Sequence, residues 1–253
     1  ELNITGRSLD DNVWTAAFVK DDGPVHYYLY HRPAKKASFL FTNQKKLEGL
    51  PLSKMNPVII KSRDGWDFIS YVTLPYKANV DDSAPHQTLS SGPQTTTTQT
   101  TVGQQKDRPH TPVPLLLLVH GGPWGRDAWG FSSHHQWLSN RGYAVLSVNY
   151  RGSVGFGKDF INASTREWAG KMHDDLIDAV RWTIDEGIAD KDKIAIMGGS
   201  YGGYAALVGL TFTPEVFCCG VDIVGPSNLK TLIETIPPYW APMRSMFTMR
   251  VGD

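Results

Sequence analysis

The stretch that most constrains this sequence runs from Ile194 to Leu207. There Ile-Ala-Ile-Met precedes Gly198-Gly199-Ser200-Tyr201-Gly202-Gly203, and Tyr-Ala-Ala-Leu follows. The apolar run before the glycines reads as a strand and the alanine-rich run after them as a helix. A G-x-S-x-G pattern between a strand and a helix marks a nucleophile elbow, a turn so sharp that side chains at the flanking positions would collide with neighbouring strands. Gly198, Gly202 and Gly203 meet that demand. An ordinary glycine-rich loop is the competing reading, and the strand and helix on either side favour the elbow.

A chain of 253 residues, 41% of them hydrophobic, can bury a substantial core as one large domain or two smaller ones. Its 25 basic and 25 acidic residues balance, so nothing forces a basic face toward nucleic acid or anionic lipid, and neither a nucleic acid nor a membrane is expected as a partner. Cys218 and Cys219 adjoin in an apolar run. A strand would point them to opposite faces and strain any disulfide between them, so they are expected as small core residues. Low cysteine usage fits a reducing compartment, and a cytoplasmic location is expected. No signal peptide or transmembrane run is visible, and a chain that starts at Glu1 is expected to lack its true beginning.

Trp14 to Lys20, Val25 to His31 and Ser38 to Thr42 are aromatic and β-branched runs separated by Asp21-Asp22-Gly23-Pro24 and Arg32-Pro33-Ala34-Lys35-Lys36. They predict a three-stranded antiparallel meander, too small to stand alone and resembling the end of a larger β structure. Val58 to Ser62 and Asp67 to Leu74 flank Asp64-Gly65, a tight hairpin signal. Tyr76 to Thr111 is polar, threonine-rich and poor in apolar residues, which predicts a disordered surface insertion. Two domains are expected, with residues 1–56 holding the meander and linker and 57–253 holding the catalytic part.

Val113 to Val119 is almost purely aliphatic, as a central parallel strand is when helices cover both sheet faces. A helix is expected from Ser132 to Asn140, a strand from Tyr143 to Asn149, a helix opened and capped by Asp174 and Asp175, a strand from Lys193 to Met197, a helix from Tyr201 to Leu210 and a strand from Cys219 to Val224. Strands alternating with helices imply an α/β fold with a mostly parallel sheet. Ligands of such sheets bind beyond the carboxyl ends of the strands, which puts His120-Gly121-Gly122-Pro123 and Ser200 on one rim.

Acyl transfer through a serine needs a nucleophile, donors for the oxyanion, and a base. Ser200 is the candidate nucleophile. The N–H of Tyr201 at a helix N-terminus is one candidate donor, and that of Gly122, on a loop where glycines allow close backbone approach, is the other. His120 is expected to orient its loop, Arg151 to hold the rim through backbone or carboxylate contacts, and Asp222 to be a structural or substrate-side polar residue rather than a displaced triad acid. Trp124, Trp129, Tyr239 and Trp240 are read as packing before pocket lining. No cluster of cysteine, histidine and carboxylate has metal-ligand spacing, and neither metal nor cofactor is expected.

His120-Gly121-Gly122-Pro123, Asn149-Tyr150-Arg151-Gly152-Ser153 and Gly198-Gly199-Ser200-Tyr201-Gly202-Gly203-Tyr204, in this order and with these separations, resemble the prolyl oligopeptidase family of serine peptidases, nearest its acylaminoacyl-peptidase-like branch. The resemblance implies an α/β-hydrolase fold, with the meander as the last part of a β-propeller. It also implies a short peptide as substrate, Ser200 as nucleophile, and Gly122 and Tyr201 as the oxyanion hole. A carboxylesterase of the same fold and a non-catalytic interaction module are the rival expectations. The α/β-hydrolase triad runs serine, acid, histidine along the chain, yet all eight histidines, from His26 to His173, precede Ser200. The triad Asp and His are therefore expected beyond Asp253, and the 253 residues are expected to be an inactive fragment. Nothing in the sequence bears on oligomeric state.

Overall fold

The computed structural model describes residues 1–76, 109 and 111–252, and the expected threonine-rich insertion lies almost entirely outside them. Two sheets carry the described chain. The first is antiparallel, with β1 (Leu2–Arg7), β2 (Val13–Phe18), β3 (His26–His31) and β4 (Lys36–Thr42) side by side in chain order. The sequence reading missed β1, because Asn3, Thr5 and Gly6 dilute its alternation. Cross-strand aromatic pairs hold this sheet, among them Tyr27 stacked on Phe41 at 4.9 Å. The guanidinium groups of Arg7 and Arg32 both lie 4.7 Å from the Trp14 ring.

The second sheet has six strands in the order β10-β9-β7-β8-β6-β5. Its outer antiparallel pair is β5 (Met55–Lys61) and β6 (Asp67–Thr73), closed by the expected turn with Gly65 at φ 95°. Strand β6 pairs antiparallel with β8 (Ala144–Val148), whereas β7 (Val113–Val119), β8, β9 (Ala189–Gly199) and β10 (Cys219–Ile223) run parallel. Leu115, Leu117, Leu146, Val148, Ile194 and Ile196 are buried in the centre of this sheet. Burying each such side chain contributes about 1.5–3 kcal/mol relative to exposure. Asp21 ties the two sheets together: its carboxylate accepts from Met55 N at 2.8 Å and its carbonyl from Gln136 Nε2 at 3.1 Å.

Among the described residues, six α-helices lie between or after the strands from β7 onward. They are α1 (Ser133–Ser139), α2 (Lys158–Asn162), α3 (Lys171–Asp185), α4 (Tyr201–Phe212), α5 (Leu229–Glu234) and α6 (Arg244–Arg250). Helix α1 has the expected cap, with Ser132 Oγ accepting from His135 N at 3.4 Å. Helix α3 corrects the reading of Asp174 and Asp175: it begins at Lys171 after Gly170, with no side-chain cap. Its apolar face of Leu176, Ile177 and Val180 is buried. The cysteines are a second correction, since Cys218 and Cys219 are both exposed. Among the described residues, strand β10 is an edge of the sheet.

Candidate active site

Strand β9 ends at Gly199 and α4 begins at Tyr201, leaving Ser200 alone to make the reversal. It does so at φ 55° and ψ −117°, a conformation that costs a non-glycine residue about 1–3 kcal/mol and that must be held from outside. Two backbone bonds hold it: Ser200 N donates to Ile223 O at 2.9 Å, and Tyr204 N donates to Ser200 O at 3.0 Å. Ser200 is exposed on the rim, while the next side chain, Tyr201, turns into the core against Trp168 at 4.7 Å and Tyr150 at 5.3 Å. A methyl group on Gly202 would run into Val119 O, so glycine is what lets the start of α4 reach the end of β7.

That approach sets the loop after β7 beside the serine. A Cβ built on Gly121 would lie 2.9 Å from Gly199 O and 3.5 Å from Ser200 Cβ. Gly122 follows at φ 124°, a left-handed conformation, with its backbone exposed. The two loops expected on one rim are thus in van der Waals contact.

His120 is engaged by its own loop and by the turn after β8. Its Nδ1 lies 2.9 Å from Gly121 O and its Nε2 2.9 Å from Ser153 Oγ, and the Tyr150 ring stacks on it at 4.5 Å. Burial pushes its pKa down, so the imidazole is neutral near pH 7. Arg151 is buried and holds two carboxylates. It donates through Nε and Nη2 to Asp175 at 2.8 and 2.6 Å, and through Nη1 and Nη2 to Asp64 at 2.8 Å each. Asp175, expected as a helix cap, is instead the fully buried partner of this guanidinium, and the Arg151 hydrogen bonds hold the Asp64 carboxyl well below its ordinary pKa. Asp222 accepts from Gly225 N at 2.7 Å, as a structural residue does.

The aromatic residues divide. Trp129 donates to Met55 O at 2.9 Å and is packing. Trp124 packs edge-on against Phe247 at 5.5 Å, Phe247 stacks on Trp240 at 6.4 Å, and Tyr239 and Trp240 are exposed. These four rings extend outward from the residue after Pro123, beside Gly122. Asp127, further along the same loop, was missed: burial raises its carboxyl to about 7, and its Oδ2 is buried with no partner among the described residues. Nothing in its local sequence separates it from a surface aspartate. Among the described residues no histidine hydrogen-bonds the Ser200 hydroxyl, no group of three or more His, Cys, Asp or Glu is placed to hold a metal ion, and no helix is long and apolar enough to cross a membrane.

A parallel-stranded sheet with a strained serine at a strand-to-helix turn, faced by a glycine loop from the adjacent strand, defines an α/β-hydrolase fold. Comparison with known proteins narrows this, for residues 129–249 match the prolyl oligopeptidase family. Along 253 residues it is 51% identical to dipeptidyl aminopeptidase BIII of Pseudoxanthomonas mexicana, covering 100% of this chain and 33% of that protein. It is 43% identical over 251 residues to dipeptidyl peptidase family member 6 of Caenorhabditis elegans, covering 99% and 33%. The acylamino-acid-releasing enzyme of Arabidopsis thaliana is 36% identical over 128 residues, covering 50% and 17%. Among solved structures, a Mycobacterium tuberculosis puromycin-hydrolyzing peptidase superimposes with a TM-score of 0.73 at 23% identity, over 96% of this chain and 33% of that one. The chain spans about a third of the length of the first two relatives.

Proposed function

We propose that the protein carrying this chain is a serine peptidase that releases short units from peptides through an acyl-enzyme on Ser200. The observation that supports this most is the backbone of Ser200, left-handed at the β9–α4 turn and set against Gly121. In the reaction, Ser200 Oγ attacks the scissile carbonyl carbon as a base takes its proton. The carbonyl oxygen becomes an anion received by the N–H groups of Gly122 and Tyr201, and collapse expels the amine, which takes up that proton. Water then hydrolyses the ester. Burial raises the pKa of the Tyr201 phenol far above neutrality, so its side chain stays uncharged beside the developing anion.

The base and its acid partner come from polypeptide outside these residues on this reading. It is supported by the engagement of His120 with Gly121 and Ser153 and by the greater length of the relatives. The chain alone then lacks the activation that makes a serine nucleophilic. The two relatives aligned along nearly all of the chain are by name dipeptidyl peptidases, which favours release of dipeptides from a free amino terminus over cleavage of simple esters. Residues 1–56 are on the same reading the edge of a propeller-like domain, as a four-stranded antiparallel sheet suits. Comparing dipeptidyl anilides with aryl esters on the full-length protein tests the substrate class. Turnover of aryl esters with no measurable cleavage of any dipeptidyl anilide would make it an esterase instead.

A further inference from the structure

The turn after β8 grips the glycine loop in a way the proposed reaction does not by itself require. Tyr150, Arg151 and Ser153 are all buried. Arg151 fastens this turn to Asp175 on α3 and to Asp64 between β5 and β6. From that anchored base, the Tyr150 hydroxyl donates to His120 O at 2.8 Å, and Val154 N donates to Gly125 O at 2.9 Å. The Ser153 hydroxyl donates to Tyr150 O at 2.7 Å and also lies 2.9 Å from His120 Nε2.

The decisive contact is on the other side of the imidazole. A carbonyl oxygen only accepts, so the His120 ring bonds Gly121 O at 2.9 Å through a proton on Nδ1. Nε2 of the neutral ring then faces the Ser153 hydroxyl at 2.9 Å, whose one proton is shared between Nε2 and Tyr150 O at 2.7 Å. Gly121 C=O and Gly122 N–H belong to one planar peptide unit, which is trans. Fixing the direction of the carbonyl therefore fixes the opposite direction of the N–H. We infer that Ser153 is a positioning residue, which acts through the His120 ring to set the plane of the Gly121–Gly122 peptide and so to aim the Gly122 donor at the oxyanion. The inference rests on the reading of Ser200 as a nucleophile and of Gly122 as a donor.

Arg151 keeps Ser153 in place, and Ser153 keeps the imidazole from rotating about its Cβ–Cγ bond. Without that hydroxyl the ring turns, Gly121 O loses its partner, and the glycine peptide tilts. Binding of substrate elsewhere on the rim is untouched, so the loss falls on the chemical step.

The test uses the full-length protein with Ser153→Ala, His120→Ala and the double variant, with every rate normalised to active sites titrated by a fluorophosphonate. Ser153→Ala is expected to lower kcat on a peptide anilide on the order of tenfold, with KM within about twofold, because a displaced donor loses part of what deleting one loses. Affinity for a peptidyl boronate, whose tetrahedral serine adduct places an oxygen near these donors, falls in proportion. His120→Ala shows at least the same kcat loss, and adding Ser153→Ala to it lowers kcat no further. An unchanged kcat per titrated site, a loss confined to KM, or additive losses in the double variant would each overturn the inference. If Ser153→Ala yields no folded protein, His120→Ala with unchanged kcat overturns it equally. A wild-type protein that takes no label on Ser200 removes the nucleophile reading and this inference together, whereas a labelled wild type with unaffected variants removes the inference alone.

Discussion

His135 offers a test of the described fold whose size follows from its surroundings. It sits on α1, buried, between the Thr73 hydroxyl on β6 at 2.9 Å from Nδ1 and the Ser147 hydroxyl on β8 at 2.9 Å from Nε2. Both partners are neutral. Burial, and next the nearby His134, push its pKa from 6.5 to about 4. The folded state therefore prefers the neutral ring, and this preference stabilises the protein fully above the unfolded value and is lost as pH falls toward the folded one. At 1.36 kcal/mol per unit the whole effect is about 3 kcal/mol, of which about 2 kcal/mol disappears between about pH 7 and pH 5. Replacing His135 by glutamine keeps hydrogen-bonding capacity toward both hydroxyls and removes the titration. Urea unfolding of the 253-residue chain and of His135→Gln, followed across that range, isolates the histidine from every other group, since the rest titrate alike in both. The stability difference between them is expected to shift by about 2 kcal/mol in favour of the variant as pH falls, an estimate from the linkage relation. Parallel curves would refute the reasoning, for they would mean that the ring is hydrated or charged in the fold.

Arg151→Met leaves Asp175 buried without a counter-charge, and a loss of about 3–5 kcal/mol of stability is expected, measured by urea unfolding. Adding Asp175→Leu is expected to recover part of that loss, because the stranded charge is then gone. Asp127→Asn gives the opposite pH signature to His135. Burial holds the aspartate at about 7 in the fold against 3.8 for the ordinary carboxyl, so its contribution is complete below the unfolded value and is lost as pH rises through the folded one. Unfolding curves are expected to show the asparagine variant gaining on the wild type as pH rises from about 4 to about 8, and a constant difference would contradict the burial assigned to Asp127.

The parts of the fold legible in the sequence are those where one local pattern has one structural solution. The aliphatic run at Val113 to Val119 has few alternatives to a central strand, and Gly202 could be read as a close-approach glycine because the serine beside it needs the turn. Pairing across the chain was less accessible. Nothing near Asp175 distinguishes a helix-opening aspartate from the partner of Arg151, since the two lie 24 positions apart and meet only because α3 packs beside the turn after β8. Cys218 and Cys219 look like core residues to any local pattern, whereas among the described residues they lie exposed at or beside the edge strand β10. The same limit hid the grip of Ser153 on His120, where the motif was visible but the hydrogen bond spans 33 positions.

The central claim is that Ser200 is the nucleophile, and covalent labelling tests it most directly. The full-length protein is treated with a fluorophosphonate, digested, and mapped by mass spectrometry, with the 253-residue chain and a Ser200→Ala variant in parallel. The account predicts an adduct on Ser200 of the full-length protein, little on the isolated chain, and loss of both label and peptidase activity in the variant. An adduct on another residue, or a Ser200→Ala protein that still cleaves peptides, would contradict it.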